Sequence, residues 1–493
     1  MKPKASRDEF VSRWGFLAAA IGMAVGTGNI WRFPRMVALY GGGAYILIYI
    51  LALFLWSAPL LMSEMAMGRT VRLGPIGSFR DFVSRRSTWM GAWMVAVCML
   101  ITFYYAVVTG WCLKYTVLAF QGAFKPGVDT QALWDRFVNS PWQNLFYQFM
   151  AILITGIILY KGIKGGVEKV TKFMVPALFI FLIIAAIRAI TLSGARLGLE
   201  YIFIPDWSKL KDPATWLQAF TQSAWSTGAG WGLMLTYSVY VKKKEDISQN
   251  CFIVGFGDQT AALLAAMAVI PTIFALMPSP EAAREVMAGS NTGLTFISLA
   301  GLFPRMPGGF IIAPIFFLAM VFAALTSLIA QVEVGIRTLM DFGLNRQKGT
   351  ILTTSACFLL GIPSAVFPDF LNNQDWVWGV ALLVSGFFTL LAIRRYGPDR
   401  VRQEILNPCG DIKMGRWWSI VISFIAPLIF ISLTTWWFYV AISSNPGTWW
   451  QPFSVSTAGT IIFQWLALLI LLILLNNLLA RKTVITSSEE SER

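Results

Sequence analysis

About twelve apolar stretches of roughly 18–28 residues each constrain this chain before any motif is considered. They centre on 14–38, 43–67, 88–120, 144–160, 168–191, 214–240, 247–277, 310–338, 349–368, 375–394, 416–442 and 457–480. A hydrocarbon layer ~30 Å thick offers backbone N–H and C=O groups no partner, so segments of this length must satisfy themselves as helices. The expected fold is therefore all-α: an integral membrane protein of twelve transmembrane helices without a large soluble domain. With 56% hydrophobic and only 13% charged residues, the 493-residue chain has little else to build from. Its 21 Trp and 37 Phe suit aromatic anchoring at the two bilayer interfaces.

The formal charge of +14 orients the chain and does not recruit nucleic acid. With the N-terminus in the cytoplasm, most basic residues fall on that same side, from Lys2, Lys4 and Arg13 through the triplet Lys242-Lys243-Lys244 to Arg481 and Lys482. That asymmetry is the positive-inside pattern, and it places both termini inside. The polar start lacks a small-residue cleavage site, so a multi-pass protein of a bacterial inner membrane is expected rather than a secreted one. Stretch 483–493 reads as a short disordered cytoplasmic tail. Five unpaired cysteines, mostly within apolar runs, read as buried thiols. The chain has no His, which removes imidazole catalysis and most zinc sites, and no nucleophile–base pair suggests an enzyme. No obligatory protein partner is evident.

Two of the spans are interrupted. Ala24-Val25-Gly26-Thr27-Gly28-Asn29 places glycines and polar side chains where the first span should cross the bilayer midplane. Ser226-Thr227-Gly228-Ala229-Gly230 does the same in the sixth, between Trp225 and Trp231. Small residues can simply mark close helix packing. Paired breaks at corresponding places instead point to a transporter site at an inverted-repeat interface. Freed carbonyls suit a cation there, and freed N–H groups suit an anion. The organisation expected is a cytoplasmic segment 1–13, five-helix repeats 14–192 and 193–396, helices eleven and twelve over 397–482, and the tail. Between 278 and 308, an apolar stretch (294–303) can dip back as a lid.

On the motifs G-T-G-N-I-W-R-F-P (26–34), G-G-G-A-Y (41–45), the broken sixth span and F-A-A-L-T-S (322–327), the chain resembles the neurotransmitter:sodium symporters, whose bacterial members share the leucine-transporter fold. The resemblance runs from about Arg7 to Asp375. It implies a 5+5 inverted repeat, discontinuous helices one and six, a small-molecule substrate and two sodium ions. The first sodium site would use the Ala24 carbonyl, Asn29, Ser226 and Asp258. The second would use carbonyls of Gly22, Val25 and Ala323 with the hydroxyls of Thr326 and Ser327. From the residues alone, Thr326 and Ser327 can equally bond carbonyls one turn back on their own helix.

Asp258 departs from the family's usual Asn. A mid-membrane carboxylate costs about 3 kcal/mol on insertion scales and needs a partner. A sodium ion supplies one, so Asp258 can serve as ligand and fixed countercharge, making bound chloride unnecessary. The family's chloride neighbours Tyr49, Gln222 and Ser226 are nonetheless present, and Asp258 can alternatively carry a proton or be merely capped by hydroxyls.

For the substrate, the resemblance implies a pocket of Gly26, Gly28, Ile101, Tyr105, Trp225, Gly228, Trp231, Ser327 and Gln331. Monoamine-carrying relatives have Asp at the Gly26 position, so Gly26 implies a substrate that brings its own carboxylate, held partly by Tyr105. Two indoles leave room for little beyond a glycine- or alanine-like amino acid, or they hold a methylated ammonium such as betaine or sarcosine by cation–π attraction. Gly228 opens space for something larger. Arg32 with Asp375 would form an outer gate, Arg7 with Asp341 an inner one buttressed by Tyr240. Gly166 and Pro176 would let helix five unwind. The reading is a sodium-coupled symporter importing a small neutral amino acid by alternating access; a betaine-like substrate, or a transport-silent nutrient sensor using the same site, is the alternative.

Overall fold

The computed structural model describes residues 8–483. Among these, ten uninterrupted helices are long and apolar enough to cross a membrane, from Gly43–Val71 to Ala458–Lys482. Two further spans are broken in the middle and complete a bundle of twelve. The first consists of Arg13–Ala24 and Thr27–Leu39, the sixth of Pro213–Ser226 and Leu233–Ser238. Arg7 and the tail beyond 483 lie outside the described residues.

The breaks differ in how the backbone turns. In the first, Val25 and Gly26 are extended, with φ −74° and −109°. In the sixth, Gly228, Gly230 and Gly232 take φ of 69°, 90° and 77°, a left-handed region that costs an L side chain roughly 1–2 kcal/mol. The sixth break therefore extends past Gly230 to Gly232, further than the interruption expected from sequence. Its N–H groups turn to Glu64, a fully buried carboxylate on span two. Gly230 N donates to Glu64 Oε1 at 2.7 Å, Gly232 N to the same oxygen at 3.4 Å, and Leu235 N to Oε2 at 3.2 Å. A second buried acid, Glu168, anchors the approach to span one by accepting from Val11 N at 2.7 Å and Ser12 Oγ at 3.0 Å.

Helices nine and ten meet earlier than expected. Pro368 holds Phe367 extended (φ −120°, ψ 103°), so the helices run Arg346–Val366 and Pro368–Tyr396. Asp375 consequently lies about two turns inside helix ten. The connection between spans seven and eight folds back on the bundle: Leu294, Phe296 and Leu299 are buried, and the Phe296 ring stacks on Trp134 at 5.1 Å. Gly166 belongs to a π-turn (Ile163–Glu168) at the start of span five, and a Cβ there would stand 1.9 Å from the Ile158 carbonyl. Pro176 lies within the following helix, Lys169–Ile190.

Candidate functional site

Both breaks open onto one cavity of about 560 Å³, walled also by helices three, eight and ten. At its side, three polar side chains from three spans converge. Asn29 Nδ2 donates to Ser226 Oγ at 2.8 Å and to Asp258 Oδ1 at 2.7 Å, while Ser226 Oγ donates to the same Asp258 oxygen at 2.8 Å. The other Asp258 oxygen accepts from Tyr49 at 3.0 Å. Asp258 has no exposure and, among the described residues, no Lys or Arg within ion-pair distance. A buried carboxylate held only by neutral donors is a place where a small hard cation gains its counter-ion. Asn29 Oδ1 meanwhile accepts from Gly26 N at 3.0 Å, which ties the cluster to the first break. The amide orientation is set by this network.

The second expected cation site is assembled from span one and helix eight. Ser327 Oγ donates over 3.3–3.4 Å toward the carbonyls of Gly22, Met23 and Val25. Gly22 packs directly on Thr326, where an added Cβ would approach to 2.9 Å. Thr326 itself donates back along its own helix, to Phe322 O at 2.8 Å and Ala323 O at 3.1 Å. The hydroxyls and carbonyls are thus neighbours, with Thr326 adopting the back-bonded arrangement that its sequence alone also allowed.

Around the N-terminus of the second half of span one, Tyr105 accepts from Thr27 N at 3.3 Å and Thr27 Oγ1 at 3.4 Å. A Cβ on Gly26 would lie 3.1 Å from Ser327 Oγ and 3.3 Å from the Tyr105 hydroxyl. Any side chain at 26 therefore fills the space those two hydroxyls share. Gly28 faces open space, with nothing within 4 Å of an added Cβ. Trp225 and Trp231 stand edge to face, 5.3 Å between centroids at 79°. Gly379 on helix ten makes room for Trp225, since a Cβ there would come within 2.4 Å of the indole. Gly228, Ser327 and Gln331 also line the cavity.

Ile101 does not line it. Its side chain has no exposure and lies behind the cavity wall, one turn along helix three from Tyr105. The cavity instead takes in residues not anticipated from sequence, among them Met23, Trp31, Tyr104, Val108 and Leu383. Trp31 and Tyr104 adjoin the noted residues Arg32 and Tyr105, which was the available signal; Met23, Val108 and Leu383 looked like any core residue.

The two ends of the bundle differ. Arg32 and Asp375 both line the cavity but are not within ion-pair distance: Arg32 donates to Gln222 and, at 2.8 Å, to Gln218, while Asp375 accepts from Tyr104 at 3.0 Å. The expected outer ion pair is open, and each charge is held by neutral groups. The basic end is tightly closed. Arg346 bridges Glu333 at 2.8 Å and Asp8 at 3.2 Å, and Tyr240 donates to Glu333 at 2.6 Å. Asp341 pairs with Arg337 on its own helix and accepts from Gly74 N at 2.6 Å. Its expected partner, Arg7, lies outside the described residues, and Tyr240 braces Glu333 rather than Asp341. Glu333 was missed in the sequence because one carboxylate near a helix end looks like a solvated face; it is fully buried.

A family model described as the sodium:neurotransmitter symporter family matches residues 7–136 and 131–482. An uncharacterized sodium-dependent transporter of Bacillus subtilis, YhdH, is 31% identical over 86% of this chain and 96% of its own length. One from Haemophilus influenzae is 31% identical over 86% and 97%, respectively. Among solved structures, the crystal structure of MhsT in complex with L-phenylalanine matches with a TM-score of 0.76 and 29% identity, over 87% of this chain and 99% of that one.

Proposed function

Since the chain belongs to the sodium:neurotransmitter symporter family, a family of membrane-embedded sodium-dependent transporters and not of enzymes, we propose that it imports a small neutral amino acid by sodium-coupled alternating access. One observation carries this reading. The Asn29–Ser226–Asp258 cluster and the Gly26–Tyr105–Ser327 space both adjoin Gly26, whose N–H donates to Asn29 and whose missing Cβ would meet Ser327 and Tyr105, so a cation and a substrate carboxylate would bind as neighbours. The helix starting at Thr27 directs its N-terminus at that carboxylate. Gly26 leaves the position free, and the L-phenylalanine in the MhsT title is itself an amino acid.

Two sodium ions are proposed, one at Ala24, Asn29, Ser226 and Asp258, the other at Gly22, Val25, Ala323, Thr326 and Ser327. At 100 mV and a tenfold gradient each ion releases about 3.7 kcal/mol, so two supply roughly 7 kcal/mol, or ~10⁵-fold accumulation of a neutral substrate. With the basic end in the cytoplasm, the closed Arg346–Glu333–Asp8 network and the separated Arg32 and Asp375 describe an outward-facing state. Gly166 and Pro176 would serve the later inward opening. Asp258 would supply the negative charge that chloride provides elsewhere.

The test is uptake into proteoliposomes of the full chain under an imposed sodium gradient. Sodium-dependent accumulation is expected, and binding without accumulation would turn the reading to a sensor. Uptake should persist in gluconate medium, and Asp258→Asn should cut chloride-free uptake at least tenfold while gaining stimulation by chloride. Unchanged chloride-free uptake by that variant would remove the countercharge role. The adjacent Trp225 and Trp231 indoles keep a methylated ammonium as the second reading, checked by competition with betaine and sarcosine.

A further inference from the structure

A second cavity, of about 500 Å³, lies on the outer face of the bundle between span four (Pro141–Tyr160) and helix nine (Arg346–Val366). Its walls follow from helical spacing, because residues three and four apart share a face. Phe149, Leu153 and Ile157 line it from span four, and Ile351 and Leu359 from helix nine. These five side chains are between 40% and 59% exposed, so the groove opens outward onto hydrocarbon. Gly156 forms its floor. Thr354 bonds its hydroxyl back to Thr350 O at 2.8 Å and turns its methyl to Gly156, where an added Cβ would stand 3.2 Å away.

The two ends of the groove differ. Phe149 and Phe358 meet edge to face at 5.6 Å and close one of them. Lys161 lines the other, next to Gly162, which packs on Asp8 of the basic end. From Phe149 to Lys161 a helix rises ~18 Å, close to the ~15 Å of hydrocarbon in one leaflet. Lys348 continues the helix-nine face one turn before Ile351. Both lysines are exposed, and among the described residues neither forms an ion pair. The nearby Asp8 is already engaged, by Ile163 N at 2.9 Å and Arg346 at 3.2 Å.

A groove left empty in a membrane forfeits dispersion contacts along both walls, so a lipid chain or another protein surface fills it. A second copy of this chain is disfavoured. Self-complementary pairing about a two-fold axis would bring Lys161 and Lys348 of both copies together at one depth. An apolar trough one leaflet deep, with unpaired cations at its mouth, instead matches a lipid with an acyl chain and an anionic headgroup. We propose that this groove binds one acyl chain of an anionic phospholipid from the leaflet at the basic end, with Lys161 and Lys348 on its phosphate. The site is separate from the transport cavity, so it stands or falls independently of the substrate.

Native mass spectrometry of the full chain in detergent tests this, by titration with phosphatidylglycerol and phosphatidylcholine of identical acyl chains. The first phosphatidylglycerol is expected to bind at least fivefold tighter than the first phosphatidylcholine. Replacing both lysines, Lys161→Gln with Lys348→Gln, should bring that ratio to within about twofold of unity. Ser355→Trp, at an exposed position lining the groove, should weaken both lipids at least threefold. Equal affinity of the unmodified protein for the two lipids overturns the proposal, even if no variant folds. A preference kept by the double variant, or binding unmoved by Ser355→Trp, also overturns it. So does glycerol 3-phosphate competing as well as the intact lipid, which would leave an anion site without a chain. A lipid-free dimer that Ser355→Trp dissociates would assign the groove to a second copy instead.

Discussion

The first and sixth spans break onto the same cavity but are finished differently. Break six turns through three left-handed glycines and hands the N–H groups of Gly230, Gly232 and Leu235 to the buried Glu64. Break one needs no left-handed residue and closes on neutral groups, Asn29 Oδ1 and the Tyr105 hydroxyl, at 3.0 and 3.3 Å. A full carboxylate on several N–H groups is a strong tether, whereas neutral bonds of that length are easily exchanged. Break six is therefore the fixed wall of the cavity. Break one is the side left adaptable, where ligands can replace protein partners at small cost.

The most severe way to break this comparison is Glu64→Ala. It leaves three buried N–H groups without an acceptor, each costing about 1–3 kcal/mol, so a loss well above about 3 kcal/mol and a collapse of folded yield are expected. Thermal unfolding in detergent followed by size-exclusion profile measures it. Stability like that of the unmodified protein would mean that break six is not pinned as described.

A matched glycine pair sharpens the contrast with a smaller effect. Gly230→Ala forces an L side chain to φ 90° and puts its Cβ 2.8 Å from Gly386 Cα, so about 2–3 kcal/mol of destabilisation is expected. Gly28→Ala meets nothing within 4 Å, so its melting temperature should stay within a few degrees while substrate affinity falls as the methyl enters the cavity. Equal melting temperatures for the two variants would erase the distinction between a fixed and an adaptable break.

How much of this was legible in the sequence follows the same division. Spans and breaks were readable because apolar length and glycine interruption are local signals, and Asn29, Ser226 and Asp258 do converge. Glu64 was not, because nothing near it in sequence points to glycines 166 positions away. Its one signal was a lone carboxylate in an apolar span with no Lys or Arg one turn away. Ile101 failed on depth and not on face: it shares a helix face with Tyr105, but one turn further along that face the side chain is fully packed and outside the cavity lining. Arg32 and Asp375 reveal a different limit. Sequence gives two charges capable of pairing, but whether they touch depends on the conformational state, and in this one Gln218 and Tyr104 hold them apart.

Tyr105→Phe is the mildest probe and the most direct test of the adaptable break. The hydroxyl accepts from Thr27 N and Thr27 Oγ1, which leaves its own proton for a ligand oxygen. Removing it deletes one bond to a charged group, about 1.5–2 kcal/mol, and frees one backbone N–H that a bound carboxylate can take over. That partial compensation keeps the expected loss to roughly 10–30-fold in substrate affinity. Stability should scarcely change, because the bonds lost exceed 3.2 Å in the protein. Scintillation-proximity binding at saturating sodium measures the effect without requiring transport. Unchanged affinity would move the carboxylate away from break one, and a large drop in melting temperature would show that break one is pinned as firmly as break six.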